Sequence, residues 1–402
     1  MYQFLQPTRC LQPRGGDFLS LLILSHLPAS DGSFYHIWRG LGVDPYQARS
    51  EGGVEGVEVM PCNEYPTSNA KTLLLLGSDA LRISSGLTNP AEVMGAVWNR
   101  QEFEAIANAN KVVDILYRTP NVHSVVVSLH PADAMKGSRW MLPTLYKFIQ
   151  RAAAWSQREY GPGVYYEGSN YLLEYYGVLP GETETSRKVV PDYNRLRGIT
   201  INLNPTENDI EEAFAEDDGG PISIDIETPK GRNGEIILVG IAPTPNKAIV
   251  ADWGNVLLRR AIERGIQGGG REIVGHNFYY DHRGFSLNNI SICTKVHDTI
   301  TQASTIYPPV ADRKVEAGED ENGAKKKKLK VKWLGLQNCV LREFDDAAPW
   351  KRVEELKWTQ AFYKVAFPSY SEWQWNKLYC AMDVIQTRRL HDKHAELMGF
   401  VQ

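Results

Sequence analysis

Asp225 and Glu227 are the residues of this 402-residue sequence whose placement most directly implies chemistry. They sit in the stretch 221–228, Pro-Ile-Ser-Ile-Asp-Ile-Glu-Thr, where Ile222, Ile224 and Ile226 alternate with Ser223, Asp225 and Glu227. A period of two belongs to a strand with one apolar and one polar face, and side chains two apart share a face. The two carboxylates therefore stand side by side and repel each other unless positive charge lies near them. A divalent cation is the natural partner for such a pair. An isolated Asp-x-Glu is more often a solvated strand face, so the weight falls on what accompanies it.

Two later patterns accompany it. His276-Asn277-Phe278-Tyr279-Tyr280-Asp281 follows a short apolar strand at 272–274, so Asp281 would face inward from the start of a helix. Taken alone, Asn277 there is as readily a helix cap. Tyr379 and Asp383 lie four apart in the strongly helical stretch 377–397 and share a helix face. Taken alone, that pair is an ordinary helix surface.

The elements that must position these groups are legible around them. Strands are expected at 222–228, 235–241 and 247–253, joined by turn-like segments at 229–233 and 243–246, which gives an antiparallel meander. An amphipathic helix over 254–264 and the strand at 272–274 follow. Ahead of the meander, 199–203 reads as a strand and Thr206, with Asp209 three residues on, as the cap of a helix whose apolar face includes Ile210 and Phe214.

Asp-x-Glu on a first strand, Asn-x-x-x-Asp at a helix start and Tyr-x-x-x-Asp on a closing helix, in this order, resemble the DEDD 3′–5′ exonuclease superfamily, DEDDy subgroup. The likeness covers about residues 195–402 and is nearest to the proofreading domain of family A, polymerase I-type DNA polymerases, phage-like. It implies a ribonuclease H-like α/β domain with a mixed sheet. It also implies two Mg²⁺ or Mn²⁺ ions held by Asp225, Glu227, Asp281 and Asp383, with hydrolysis of 3′-terminal nucleotides as the activity. Tyr379 would orient or help deprotonate the attacking water, and Thr228 and Asn277 would contact the terminal nucleotide. Asp298-Thr299 begins the next helix, with Asp298 a supporting or capping residue and not a ligand. Implied partners are single-stranded DNA or frayed 3′ ends and a separate DNA polymerase subunit, since no polymerase domain is expected within this chain. A replication-accessory protein that binds DNA without cutting it is the alternative.

Composition sets bounds. A chain of this length suggests more than one domain, and 43% hydrophobic residues suffice for packed cores. Formal net charge is −4, so phosphate contacts must come from local basic patches and not from bulk charge. One such patch lies between Asp312 and Lys332, with eight basic and five acidic residues including the lysine run 325–328. It reads equally as a solvated loop and as a phosphate-tracking one. Of the tryptophans that follow, Trp333, Trp350, Trp358, Trp373 and Trp375, most are expected in the core. Five widely scattered cysteines with no Cys-x-x-Cys pair argue against a disulfide framework or a zinc site and for a reducing compartment. The longest early apolar run, 18–24, is far short of a membrane span, and no signal-peptide pattern precedes it. The expectation is a cytoplasmic chain that is not secreted and makes no membrane contact.

In the first half, apolar runs at 18–24, 72–76 and 124–129 alternate with helical patterns, the last over 141–155. This implies an α/β layer structure with a largely parallel sheet, whose site lies at the C-terminal strand ends. Thr72 through Gly86 and Val125 through Gly137, with its His130-Pro131, resemble two motifs of the uracil-DNA glycosylase superfamily. That resemblance implies an N-terminal α/β/α sandwich with His130 near the glycosidic bond or the phosphate, and it adds uracil excision by this half as a further alternative activity. Taken alone, His130 reads equally as a strand-end histidine satisfied by a backbone carbonyl. The family's first acidic loop is replaced by Ser25-His26-Leu27-Pro28-Ala29-Ser30, leaving Asp31 as a stand-in carboxylate or a plain loop residue. With only Cys10 and Cys62 in this region, no iron–sulfur cluster is expected. The domain reading is 1–159 glycosylase-like, 160–197 a connecting segment rich in tyrosine, and 198–402 the exonuclease domain.

Overall fold

The computed structural model describes residues 19–25, 31–63, 67–87, 90–137, 141–162, 172–177, 186–191, 198–229, 235–307, 314–315, 329–330, 334–345, 347, 350 and 372–399. The chain forms two compact units: Met1–Ser169 with Arg313–Val331 and Phe344–Gln360, and Asn170–Asp312 with Lys332–Glu343 and Ala361–Gln402. Both are mixed α/β structures.

In the first unit the order is β1 (Leu21–Ser25), α1 (Asp31–Gly40), α2 (Pro45–Ser50), β2 (Val57–Pro61), β3 (Thr72–Leu76), α3 (Gly77–Ser85), β4 (Val97–Asn99), α4 (Arg100–Ala109), α5 (Asp114–Arg118), β5 (Ser124–Ser128), α6 (Pro131–Gly137) and α7 (Met141–Ser156). The five strands are ordered β2-β1-β3-β5-β4, all parallel except β4, which runs antiparallel to β5 at the edge. Strands β1, β3 and β5 are buried at every residue, which is why Leu-Leu-Ile-Leu and Val-Val-Val occur as continuous apolar runs without alternation. Local signals set the helix ends: Asn99 and Glu102 form a reciprocal cap at the start of α4, and Gly86 in the left-handed region ends α3. In the basic stretch, Lys314–Val315 and Leu329–Lys330 pair antiparallel, and 316–328, including the lysine run, lies outside the described residues.

The second unit holds β6 (Leu172–Gly177), β7 (Ser186–Pro191), β8 (Ile199–Asn202), α8 (Glu207–Ala215), β9 (Ile222–Glu227), β10 (Leu238–Thr244), β11 (Lys247–Asp252), α9 (Val256–Gln267), β12 (Ile273–Gly275), α10 (Tyr279–Leu287), β13 (Val296–Asp298), α11 (Thr299–Ile306), α12 (Leu336–Glu343) and α13 (Glu372–Leu397). Its eight-stranded sheet is ordered β13-β12-β9-β10-β11-β8-β6-β7. The β9-β10-β11 meander is antiparallel as the turns imply, while β12 runs parallel to β9 and β8 parallel to β11. Thr206 and Asp209 make the expected reciprocal cap of α8. One face of the sheet packs into a core of Ile222, Ile224, Ile226, Val239 and Ile241 with Ile262, Ile266 and Phe285 from the helices.

The stretch 160–197 departs from its reading as a connection. Strand β6 pairs parallel to β8 and β7 antiparallel to β6, so this stretch extends the second unit's sheet by two strands. The edge of β8 offers unpaired backbone groups that such a ribbon satisfies, and its tyrosine-rich composition has no clear period by which to announce a strand. The tryptophans also divide: Trp350 is buried, whereas Trp373 is exposed and donates its indole N–H to Asp252 Oδ1 at 3.0 Å. Trp333 and Trp358 lie outside the described residues. Among the described residues no helix is long and apolar enough to cross a membrane.

Candidate metal centre

The centre is built on β9. Its three isoleucines turn into the core, and the opposite face presents Asp225 and Glu227, both half-buried. Strand β10 places Gly240 directly across from Asp225. A Cβ on Gly240 would lie 2.7 Å from Cys380 Sγ and 3.0 Å from Val384 Cγ1, so glycine here is what lets α13 settle onto the sheet. The settled helix brings Cys380 to the carboxylates: one ligand atom each of Asp225, Glu227 and Cys380 lie within 4.8 Å of one another.

Helix α10 delivers Asp281. Gly284, one turn further on, allows that helix to approach so closely that a Cβ would collide with the Ile226 side chain. Asp281 is only 2% exposed, and its Oδ1 accepts the backbone N–H of Ile226 at 3.0 Å. The third carboxylate is therefore tied to the residue between the first two. Burial, then the neighbouring charge of Asp225 and, more weakly, Glu227, pushes the Asp281 carboxyl well above the usual range.

Asp383 stands three residues beyond Cys380 on α13 and is 4% exposed. The Cys380 thiol senses the whole set. Burial raises it first, and Glu227, Asp225, Asp383 and Asp281 each add to the rise. Tyr379, half-buried, precedes Asp383 by one helical turn. Asp225, Glu227, Asp281 and Asp383 thus all lie close enough to act on the Cys380 thiol, and Tyr379 stands one turn before Asp383 on the same helix. Four carboxylates on strand and helix positions form an all-oxygen donor set of the kind that hard divalent cations take. The residues present fit such an ion.

The flanking residues are also placed. Thr228, just past β9, shares a 2.5 Å hydrogen bond between its Oγ1 and the Tyr280 hydroxyl. Asn277 has φ of 62°, a left-handed conformation that asparagine tolerates better than most residues. Asp298 fixes this loop: its carboxylate accepts the N–H groups of Asn277 at 2.9 Å, Phe278 at 3.0 Å and Ile300 at 2.9 Å. It caps α11 while holding the segment that leads into Asp281, the capping role expected of it.

His130 belongs to the first unit, at the C-terminal end of β5. Its Nδ1 accepts the N–H of Ala132 at 3.1 Å, which leaves Nε2 to donate to Ser25 Oγ at 3.0 Å. The ring thereby ties the end of β1 to the start of α6. Gly77, with φ of 85°, follows β3 as the first residue of α3 beside it, and a Cβ there would lie 2.8 Å from His130 Cβ. Asp31 begins α1, with 26–30 outside the described residues.

Three contributors escaped the sequence reading. Gly240 is one glycine among 34, and nothing local marks it as the residue opposite Asp225. Tyr280 is inconspicuous beside another tyrosine. Cys380 did carry a signal, because residues three apart share a helix face and Cys380 stands three before Asp383.

No protein-family model and no curated protein sequence matches the chain. Solved structures give distant likenesses. NrnC of Brucella melitensis bound to pGG is 17% identical, over 50% of this chain and 83% of that one, with a TM-score of 0.33. RNase D of Trypanosoma brucei is 15% identical, over 48% and 64%, with a TM-score of 0.32. The EXO domain of Nibbler from Aedes aegypti is 13% identical, over 50% and 90%, also with a TM-score of 0.32. Each likeness covers about half of this chain, and the chemistry of the centre is read from its own carboxylates.

Proposed function

We propose that the second unit is a metal-dependent 3′–5′ exonuclease that hydrolyses the terminal phosphodiester of a single-stranded or frayed DNA end. The observation that supports this reading is the grouping of Asp225 and Glu227 on β9 with the buried Asp281 bonded to the residue between them and Asp383 on the helix packed against that strand. Hydrolysis requires an attacking water, an in-line leaving oxygen and neutralisation of the charge that builds on the phosphoryl oxygens. Two Mg²⁺ or Mn²⁺ ions held by Asp225, Glu227, Asp281 and Asp383 would supply the activation and the neutralisation.

The chain's own residues do the rest. The Tyr379 hydroxyl orients the water and takes part in moving its proton. Thr228, steadied by Tyr280, and Asn277, held in its unusual conformation by Asp298, receive the terminal nucleotide. The released product carries a 5′-phosphate, and the shortened strand keeps a free 3′-hydroxyl. Proofreading beside a separate polymerase subunit is the role we assign to this activity. For the first unit we propose recognition of DNA in the manner of a uracil-DNA glycosylase, with His130 at its strand-end crevice.

The decisive test is purified protein with 3′-labelled and 5′-labelled single-stranded DNA and RNA, in Mg²⁺, Mn²⁺ or chelator, alongside Asp225→Ala and Asp383→Ala. Stepwise shortening of DNA from the 3′ end, lost in chelator and in both variants, is expected. Retardation of the DNA without shortening would make the protein a binder, and undiminished activity in either variant would sink the assignment. Preference for RNA would overturn the substrate and the proofreading role, though not the chemistry. Uracil-containing DNA that acquires no abasic sites would remove excision from the first unit.

A further inference from the structure

The metal centre contains one group that an Mg²⁺ site does not call for. Cys380 is fully buried, it points at two carboxylates, and Gly240 leaves the space that its sulfur fills. Serine or alanine would pack there without offering a soft ligand. Thiolate selects Zn²⁺-class cations, whereas carboxylate and water suit Mg²⁺ and Mn²⁺.

We propose that Asp225, Glu227 and Cys380 form a mixed oxygen–sulfur site for a thiophilic divalent cation of the zinc class, and that filling it blocks the exonuclease centre. The inference rests on the reading of Asp225 and Glu227 as metal ligands. Three protein ligands with a water as the fourth is an ordinary zinc arrangement. Ligand atoms around a tetrahedral zinc lie about 3.5 Å apart, given Zn–S and Zn–O bonds of about 2.3 and 2.1 Å. The observed spread of up to 4.8 Å must therefore contract by about 1 Å, within reach of small side-chain rotations. On binding, the Cys380 S–H proton leaves to solvent as the metal–sulfur bond forms, and Asp225 and Glu227 each donate an oxygen lone pair. Nothing is oxidised or reduced. The ion reaches the buried thiol through the two half-buried carboxylates. Once there it occupies ligands that the catalytic ions need, while drawing them towards sulfur and away from Asp281 and Asp383.

Cd²⁺ is the probe, because cadmium–thiolate bonds absorb in the near ultraviolet and can be titrated without any nuclease assay. The full chain, Cys380→Ser, Cys380→Ala and Asp225→Asn are compared after circular dichroism shows each to be folded. The expected result is a stoichiometric absorbance in the parent protein that is absent from both Cys380 variants and from Asp225→Asn, above the background from the other cysteines. In the Mg²⁺-supported nuclease reaction, Zn²⁺ inhibition should weaken at least tenfold in Cys380→Ser relative to that variant's own uninhibited rate. Identical Cd²⁺ spectra for the parent and Cys380→Ser would overturn the proposal. So would a cadmium signal that survives Asp225→Asn, since the thiol would then bind without the carboxylates. Should no metal support nuclease activity in the parent, the exonuclease reading fails, while the absorbance titration still decides whether Cys380 is a ligand.

Discussion

Asp281 accepts the backbone N–H of Ile226, the one residue that separates Asp225 from Glu227. This single bond fixes the third carboxylate relative to the first two, and it distinguishes two substitutions. Asn at position 281 can keep the hydrogen bond through its carbonyl oxygen while removing the charge. Ala removes both and leaves a buried N–H unpaired, at about 1–3 kcal/mol. Asp281→Asn should therefore fold as well as the parent yet lose at least 100-fold in kcat and lose the stabilisation by Mn²⁺. Asp281→Ala should lose activity and stability together. Denaturant unfolding beside nuclease rates checks both, and an active Asp281→Asn enzyme would remove this residue from the ligand set.

The same carboxyl sets a pH dependence. Its folded-state pKa is raised by burial and by Asp225, above an unfolded value of about 3.9. Between the two values the folded protein keeps a proton that the unfolded chain releases. The favourable contribution is complete below the unfolded value and is lost as pH rises through the folded one. In chelator, Tm should fall with rising pH in this window, and the Tm gain from Mn²⁺ should grow as the carboxyl ionises. Asp281→Asn should flatten the chelator profile. An unchanged slope in that variant would assign the effect to other groups.

Gly240→Ala tests the packing that assembles the centre. The new methyl would press on Cys380 Sγ and Val384 Cγ1, and the near atoms of α13 include the backbone oxygen of Cys380 at 3.2 Å. Relief requires the helix to lift, at about 1–3 kcal/mol. Because Tyr379 and Asp383 ride on that helix, kcat should fall by more than the loss of folded protein explains. A fully active, fully stable Gly240→Ala protein would show that α13 tolerates displacement.

Asn277 separates a backbone role from a side-chain one. Its φ of 62° would strain alanine by about 1–2 kcal/mol and suits glycine without strain. Asn277→Gly should keep stability near that of the parent while raising KM for the oligonucleotide, whereas Asn277→Ala should lose both. Equal KM for Asn277→Gly and the parent would confine this residue to shaping the loop.

How much of this was legible beforehand follows from the range of each signal. The period-two stretch at β9, the turn at 243–246 and the Thr206–Asp209 cap are local, and the structure matches them, while 230–234 of the first expected turn lies outside the described residues. Asp281 and Asp383 were legible because their helices carry them inward at readable spacings. Gly240 was not, because its role depends on a helix about 140 residues away in sequence, and such contacts leave no periodic trace. Strands β6 and β7 were missed because their stability comes from pairing onto the edge of β8 and not from their own alternation.

The far end of α13 supplies a titration independent of the metal centre. His391 is 7% exposed, its Nδ1 accepts from Gln302 Nε2 at 2.8 Å, and its ring lies 4.7 Å from that of His297. Burial, then His297, Arg388 and His394, depress its folded pKa to about 4, with Glu272 opposing weakly. An unfolded histidine titrates near 6.5. Stability is therefore complete above about pH 6.5 and is lost as pH falls towards 4, by an amount on the order of 2–3 kcal/mol. On the other side of that ring pair, His297 Nε2 lies 2.6 Å from Glu272 Oε2. His391→Gln removes the titrating ring while keeping a polar partner for Gln302. Urea unfolding of parent and variant at about pH 7 and about pH 5 should show the parent losing stability over that interval and the variant losing measurably less. Parallel losses in the two proteins would locate the acid sensitivity elsewhere.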